Sequence, residues 1–287
     1  MALTMASISN IGERISLRLR QLARMSELLR LNLTSRSPAV ASSGPVVSLT
    51  SFGKRARTVA FTLESIAQGD VLPSRLLLWL DEPASLATPS AMLARLQKRG
   101  VEVIQTENFG PHKKYFPYVA SESSFDAPLV TADDDVLYPA NWLSTLMQRY
   151  RAHSDSVHCY RARVAELRDG RLTPYASWHE CATTEPSHRH FSIGMAGVLF
   201  PPPVLRELQS RGTEFRETCP RTDDIWLNLQ AQRVGARVRQ VRPQPEYFML
   251  LPGTQKSGLL HANVDGGNDA ALGAVYQPAD LERLARA

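Results

Sequence analysis

Pro128-Leu129-Val130-Thr131-Ala132-Asp133-Asp134-Asp135-Val136-Leu137-Tyr138-Pro139 is the stretch on which the reading of the whole chain turns. A short apolar run stops abruptly in three consecutive carboxylates, and an apolar pair, Tyr138 and Pro139 follow. The run reads as a buried strand bounded by turn signals. Three adjacent acids repel one another, so a fold that keeps them at a strand end brings positive charge to them. Hard oxygen donors of this kind suit Mg²⁺ or Mn²⁺, which keep several waters and bridge to substrate phosphates. The tripeptide would serve equally as a solvated acidic turn ahead of the next helix, and the segments around it decide between the two.

Upstream, strand and helix patterns alternate. Val46 to Thr50 (VVSLT) is a short apolar strand, followed by the turn Ser51-Phe52-Gly53-Lys54-Arg55, and Thr58 to Gln68 carries Val59, Leu63 and Ile66 at helical spacing. Arg75 to Leu80 (RLLLWL) is a second buried strand, ending in Asp81-Glu82-Pro83. A helix over Ser90 to Arg99 stops at Gly100, Val101 to Gln105 forms a third strand, and Asn108-Phe109-Gly110-Pro111-His112-Lys113-Lys114 opens a helix running toward Ser124. This alternation predicts βαβ units and a mainly parallel sheet. Ligands bind such sheets beyond the carboxyl ends of the strands, where Thr50, Ser51, Asp81, Lys114 and Asp133 to Asp135 all fall. No G-x-G-x-x-G follows the first strand, which argues against a dinucleotide-binding domain. No G-x-x-x-x-G-K-[ST] occurs, which excludes a P-loop.

Taken in order, V-V-S-L-T-S-F-G-K-R, G-P-H-K-K and V-T-A-D-D-D-V-L-Y-P resemble the nucleotide-binding half of GT-A-fold glycosyltransferases. The bacterial family-two-like enzymes that build surface glycans are the members most in point, and the likeness runs over roughly residues 46 to 269. It implies an α/β fold with a GT-A-like (Rossmann-like), mainly parallel sheet flanked by helices. It further implies that Asp133 and Asp135 hold Mn²⁺ or Mg²⁺ on the diphosphate of a nucleotide-sugar, with Asp134 toward the ribose or sugar. Thr50, Ser51, Arg55 and Asp81 would surround the nucleoside, and Lys114 would contact base or phosphate. Without the resemblance, Arg55 and Lys114 read equally well as surface basic residues and Asp81 as a helix or turn cap.

In the second half, Asn141 to Tyr150 is a helix, Ser156 to Tyr160 a strand, and Asp169-Gly170 within Glu166 to Leu172 the signal of a hairpin. Residues 174 to 192 are irregular and rich in His, Glu and Ser, a composition suited to a loop that closes over substrate. His188 and His190 within it read as loop surface or as a metal-binding pair. Ser192 to Phe200 (SIGMAGVLF) is a further apolar strand in which Gly194 and Gly197 leave space for a ligand or a bulge. It resembles the Gly-Gly strand that lines the sugar pocket of the family. Thr222-Asp223-Asp224-Ile225-Trp226 opens a helix with Thr222 as N-cap, and acids in its first turn suit the macrodipole. The resemblance to the family's E-D or D-D motif implies that Asp224 is the general base of an inverting transfer. Asp223 would orient it, hydrogen-bond the acceptor or serve the helix terminus, and Trp226 reads as core or as a sugar platform. His261 would complete the metal shell, and Gly266-Gly267-Asn268-Asp269 matches a family tail that forms either a lid or a plain turn.

At 287 residues, with 43% hydrophobic and 21% charged residues, the chain is long enough for a full core. Three cysteines without C-x-x-C spacing imply neither a disulfide framework nor a zinc site, and point to a reducing, cytoplasmic setting. A formal charge of +5 suits anionic partners such as nucleotides, phospholipid surfaces or acidic glycans, with no nucleic-acid partner expected. No apolar run reaches the length of a membrane span. Residues 11 to 33 place Ile11, Ile15, Leu19, Leu22, Leu29 and Leu33 at spacings of three, four or seven among Arg14, Arg18, Arg20, Arg24 and Arg30. This is a basic amphipathic helix, fit to lie on the inner face of an anionic membrane, to pack on the domain, or to pair with a second copy in a homodimer. The expected organisation is an N-terminal helix and linker over 1–45, a nucleotide-sugar-binding half over 46–152, and an acceptor-binding and catalytic half with the tail over 153–287. The expected function is metal-dependent transfer of a sugar, of hexosyltransferase type. The donor is a nucleotide-sugar, a UDP-sugar first, and the acceptor a glycan or lipid-linked molecule. A nucleotidyltransferase and a non-catalytic nucleotide- or glycan-binding module stand as alternatives.

Overall fold

The computed structural model of the chain describes residues 11–254 and 266–286. Its centre is a sheet of seven strands in the order β12-β6-β11-β4-β1-β2-β3. These are β1 (Val46–Thr50), β2 (Arg75–Leu80), β3 (Val101–Gln105), β4 (Leu129–Thr131), β6 (Val157–Cys159), β11 (Val198–Phe200) and β12 (Val238–Gln240). Only β11 runs against its neighbours, β4 and β6; every other pairing in this sheet is parallel. Short pairs complete the strand set: β5 (Val136–Leu137) with β13 (Met249–Leu250), β7 (Ala162–Val164) with β10 (His190–Ser192), and β8 (Leu167–Arg168) with β9 (Arg171–Leu172).

The uninterrupted apolar runs arise because the sheet is covered on both faces. Val46, Leu77, Trp79 and Leu129 enter one core and the alternate residues Val47, Leu76, Leu78 and Val130 the other. The first core is closed by α5 (Phe116–Ser121), α7 (Pro202–Arg211), α9 (Asp223–Arg233) and the helix Asn268–Val275. The second is closed by α2 (Val59–Ala67), α4 (Ala91–Lys98), α6 (Trp142–Ala152) and one face of α1 (Ile11–Thr34). This is the mainly parallel α/β architecture expected from the alternating pattern. Among the described residues no helix is long and apolar enough to cross a membrane.

Four local expectations are corrected. SIGMAGVLF is two strands, because Ala196 and Gly197 take left-handed φ values of 78° and 99° and turn the chain between β10 and β11. A side chain at Gly197 would also meet the Trp142 ring at 2.7 Å. The segment from Gly110 to Lys114 is a 3₁₀ turn, and the helix after it ends at Ser121. Thr222 precedes α9 but makes no side-chain cap; its Oγ1 lies 2.9 Å from Cys219 Sγ instead. His190 sits buried on β10, with its ring against Cys181 Sγ and Val238 O rather than on a loop surface.

The N-terminal helix docks by an unexpected face. Gln21, Leu28 and Asn32 are buried, with Met25 packed beside them. Asn32 Nδ2 donates to Glu64 Oε2 at 2.9 Å, Arg99 Nη1 donates to both Glu64 oxygens at 2.9 and 2.8 Å, and Gln21 Nε2 donates to Leu250 O. The apolar stripe points away, leaving Ile15, Leu19, Leu22, Leu29 and Leu33 between 41% and 62% exposed. The following segment is held to the sheet: Arg99 Nε donates to Ser37 O, Ala39 is fully buried, and Ala41 N donates to Pro73 O.

Candidate active site

The loop after β4 carries the three acids to the carboxyl edge of the parallel strands, and the turn after β1 meets it there. Ser51 is fully buried and donates to Asp134 Oδ2 at 2.5 Å. Arg55, on the same turn, reaches both Asp134 Oδ1 at 2.5 Å and Asp135 Oδ2 at 2.7 Å. The backbone of the loop is pinned as well. Thr62 Oγ1 donates to Asp134 O, Asp133 N donates to Tyr138 Oη, and Leu251 N donates to Asp135 O at 2.7 Å. The Thr254 side chain hydrogen-bonds the Asp135 carboxylate. Burial, countered by Arg55 and Ser51, pushes the Asp134 carboxyl up to about 6. Burial and then the neighbouring Asp133 raise Asp135 as well, against Arg55.

Lys114 joins this loop to the start of α9. Its ammonium donates to Asp133 Oδ1 at 2.6 Å and lies 3.7 Å from Asp223 Oδ2. Burial alone would depress it, but Asp133, Asp223 and Asp224 hold it well above the ordinary lysine range. Asp224, in the first turn of α9, accepts from Gly194 N at 3.0 Å. Burial and then Asp223 push its carboxyl up to about 7, against the pull of Lys114. A Cβ at Gly194 would stand 2.7 Å from Asp224 Oδ1, so only glycine lets this backbone approach the carboxylate. Asn228, one turn along α9, donates to Asp224 O and Ser192 O and accepts from Ser192 N, fixing α9 against the strand before Gly194.

The residues expected at the nucleotide, the metal and the catalytic base fall into two groups. Ser51, Arg55, Lys114, Asp133, Asp134, Asp135, Asp223 and Asp224 converge on one continuous cluster. Thr50 and Asp81 stand at the same sheet edge but are otherwise engaged: Thr50 Oγ1 donates to Trp79 O, and Asp81 Oδ1 is held by Lys113 at 2.5 Å. His261 lies outside the described residues. Trp226 is buried in the core, and Asp269 of the G-G-N-D stretch opens the helix Asn268–Val275 and accepts from Tyr175 N at 2.7 Å. Sequence reasoning passed over Lys113, Asn228 and His112. His112 is buried, stacked at 4.0 Å on Phe215, and pushed down to about 4 by burial. Of these only Asn228 carried a usable signal, its i+4 spacing from Asp224.

The donor chemistry of the cluster suits a divalent ion. Five carboxylates (Asp133, Asp134, Asp135, Asp223 and Asp224) face two cations, Arg55 and Lys114, and Asp223 Oδ2 is buried without a hydrogen-bond partner. Among the described residues no group of three or more His, Cys, Asp or Glu is placed to hold a metal unaided. An ion here would therefore draw on waters and a bound phosphate, as Mg²⁺ does.

No protein-family model and no curated protein matches the chain. Solved structures do. A mannosyltransferase from Pyrobaculum calidifontis, in complex with GDP-Man and Mn²⁺, superposes with a TM-score of 0.52 at 15% identity, covering 95% of this chain and 78% of that one. Residues 1–349 of S. aureus TarS give 0.48 at 12%, covering 85% and 70% of the two chains. The 4-diphosphocytidyl-2C-methyl-D-erythritol synthase of Anaerococcus prevotii gives 0.48 at 12%, covering 79% and 97%. At these identities the first of them shows that the fold is shared, a mixed α/β fold with a mostly parallel central sheet flanked by helices.

Proposed function

We propose that the chain is a metal-dependent glycosyltransferase that moves a sugar from a nucleotide-sugar to a hydroxyl acceptor with inversion, using Asp224 as general base. The observation that carries this reading is the meeting, at Lys114, of the acid loop after β4 with the first turn of α9. Displacing a nucleoside diphosphate needs negative charge neutralised on the leaving group and, on the other side of the sugar, a base for the incoming hydroxyl. Asp133 and Asp135 would hold a divalent ion, Mn²⁺ or Mg²⁺, which would supply the first requirement when bound. Arg55 fixes the Asp134 and Asp135 carboxylates, and Ser51 keeps Asp134 in place. Asp224, whose carboxyl lies near 7, takes the acceptor proton at its carboxylate oxygen. The acceptor oxygen then forms its bond to the anomeric carbon, and the bond to the diphosphate breaks with both electrons going to the leaving group. Gly194 N–H holds one Asp224 oxygen, and Asp223 Oδ2, which has Lys114 at 3.7 Å but no hydrogen-bond partner, accepts from the acceptor. The shared fold with a mannosyltransferase that binds GDP-Man and Mn²⁺ supports the donor class.

The test is release of nucleoside diphosphate from UDP-, GDP- and CDP-sugars with and without Mn²⁺, beside pyrophosphate release from nucleoside triphosphates and sugar 1-phosphates. Metal-dependent turnover of one nucleotide-sugar is the expected result. Pyrophosphate release without sugar transfer would make the chain a nucleotidyltransferase, and nucleotide binding without turnover a binding module.

A further inference from the structure

Five of the large apolar side chains that stand exposed on this molecule lie on one stripe of α1: Ile15, Leu19, Leu22, Leu29 and Leu33. Their spacing of four, three, seven and four residues keeps them in a line along nearly the whole helix, at 100° per residue. A helix that used this stripe for its own domain would have turned it inward. Instead α1 is anchored by buried Leu28 and by Gln21 and Asn32, whose hydrogen bonds to Leu250, Glu64 and Met92 set its rotation about its axis. The stripe is therefore held outward by a buried polar network, and exposed contiguous apolar surface of this kind marks a contact with something else.

The charges beside the stripe select what that is. Arg18 and Arg30 fall on its two edges, and Arg14 and Arg20 lie further round. Among the acids Glu13 lies on the far side of the helix, and Glu27 is paired with Arg24 at 2.7 Å. A second copy docked stripe to stripe would bring these arginines toward arginines, with no carboxylate of α1 on either edge to receive them. An anionic bilayer receives both components: leucines in the interface, guanidinium groups on the headgroups. We propose that α1 is an interfacial helix that seats the molecule on a membrane containing anionic phospholipid. This stands independently of the transferase reading. Gln21 holds α1 to Leu250, and β13 pairs with the β5 strand that leaves the acid loop, so the seated helix would lie beside the strand pair bordering the candidate site.

The experiment is co-sedimentation of the full chain with vesicles of phosphatidylcholine alone, or of phosphatidylcholine and phosphatidylglycerol at two to one. Alongside it, light scattering measures the mass in solution. Binding to the anionic vesicles alone is expected, falling by about tenfold or more in the Leu19→Glu, Leu22→Glu double variant. In Arg18→Gln and Arg30→Gln it should fall roughly fivefold each. The leucines are exposed, so the melting temperature of the double variant reports whether the fold is intact, and the wild-type preference for anionic vesicles does not depend on any variant. No binding to either vesicle, or binding unchanged by the leucine changes, would overturn the proposal. A dimer that the same changes dissociate, without vesicle binding, would assign the stripe to a second copy.

Discussion

Two clusters of buried charge sit on this sheet, and they are built to different ends. Behind the sheet, Glu64 is fully buried and both its oxygens are taken by Arg99, with Asn32 and Gln68 completing its partners and Arg95 holding Asn32 in turn. The one carboxylate there is paired directly with a guanidinium, whose Nη2 alone is left without a hydrogen-bond partner, and the network ties α1, α2 and α4 together. At the carboxyl edge, five carboxylates share Arg55 and Lys114, and one buried oxygen of Asp223 has no hydrogen-bond partner. A balanced cluster spends its charge on the fold. An unbalanced one is held in place by the fold and keeps charge in reserve for something that arrives, which is how functional sites come to carry shifted acids.

The contrast can be broken most sharply at Asp224. The Asp224→Asn variant should bind nucleotide as the wild type does while transfer falls by about 10²–10⁴, measured as sugar transfer at saturating donor. Retained transfer would remove Asp224 from the base role. In the balanced cluster, Glu64→Gln leaves Arg99 buried without its carboxylate. It should lower unfolding free energy by about 3–5 kcal/mol in urea titration, with nucleotide affinity unchanged while the protein stays folded.

The cluster at the carboxyl edge also predicts a pH dependence. As a base, Asp224 must be ionised, so kcat/KM should rise with pH through about 7 and level off above it. Lys114 pulls that carboxyl downward, so Lys114→Met should move the midpoint to higher pH. The effect on stability has the opposite sense. The folded protein holds the Asp224 proton more tightly than the unfolded chain, so its contribution is complete at acid pH and is lost as pH rises through about 7. At pH 8 Asp224→Asn should therefore melt higher than the wild type, by about 2–4 °C for each kcal/mol recovered. The difference should vanish near pH 4. Smallest of all is the exposed pair Arg216–Glu107, at 2.7 Å, where Glu107→Gln should change stability by about 0–1 kcal/mol.

Much of this was legible in the residues themselves. Apolar runs ending in Thr50, Asp81 and Asp133 place strand ends, because these strands carry no carboxylate until they leave the sheet, and a buried hydroxyl such as Ser48 is tolerated within β1 only by bonding to Lys114 O and Trp79 Nε1. What stayed hidden was partnership. Asp81 and Asp133 look alike in sequence, yet one is bound by Lys113 and the other by Lys114, a choice made by the 3₁₀ turn. Gly194 reads as a spacer, and only the approach of α9 reveals that its N–H serves Asp224. In α1 the periodicity located the apolar stripe but left open whether the stripe packs on the domain, pairs with a second copy or lies on a membrane. Gln21 and Asn32 look like solvent residues, but a hydrogen-bonded network buries them and turns the leucines out. Hydrophobic pattern reports which face is apolar, and not which face the rest of the fold can satisfy.

The clasp between Leu251 and Asp135 has a consequence in time. The acid loop is made 116 residues before the strand that closes it, as the residue numbers of this bond show. At translation rates of about 5–20 residues per second the interval is roughly 6 to 23 seconds. Through that interval the nascent chain carries its three adjacent acids without Leu251 to brace them, α9 being made only toward its end, and any fragment ending before Leu251 lacks the clasp. The site is thus assembled last, from both ends of the domain at once, and a damaged message yields a protein without its closing strand.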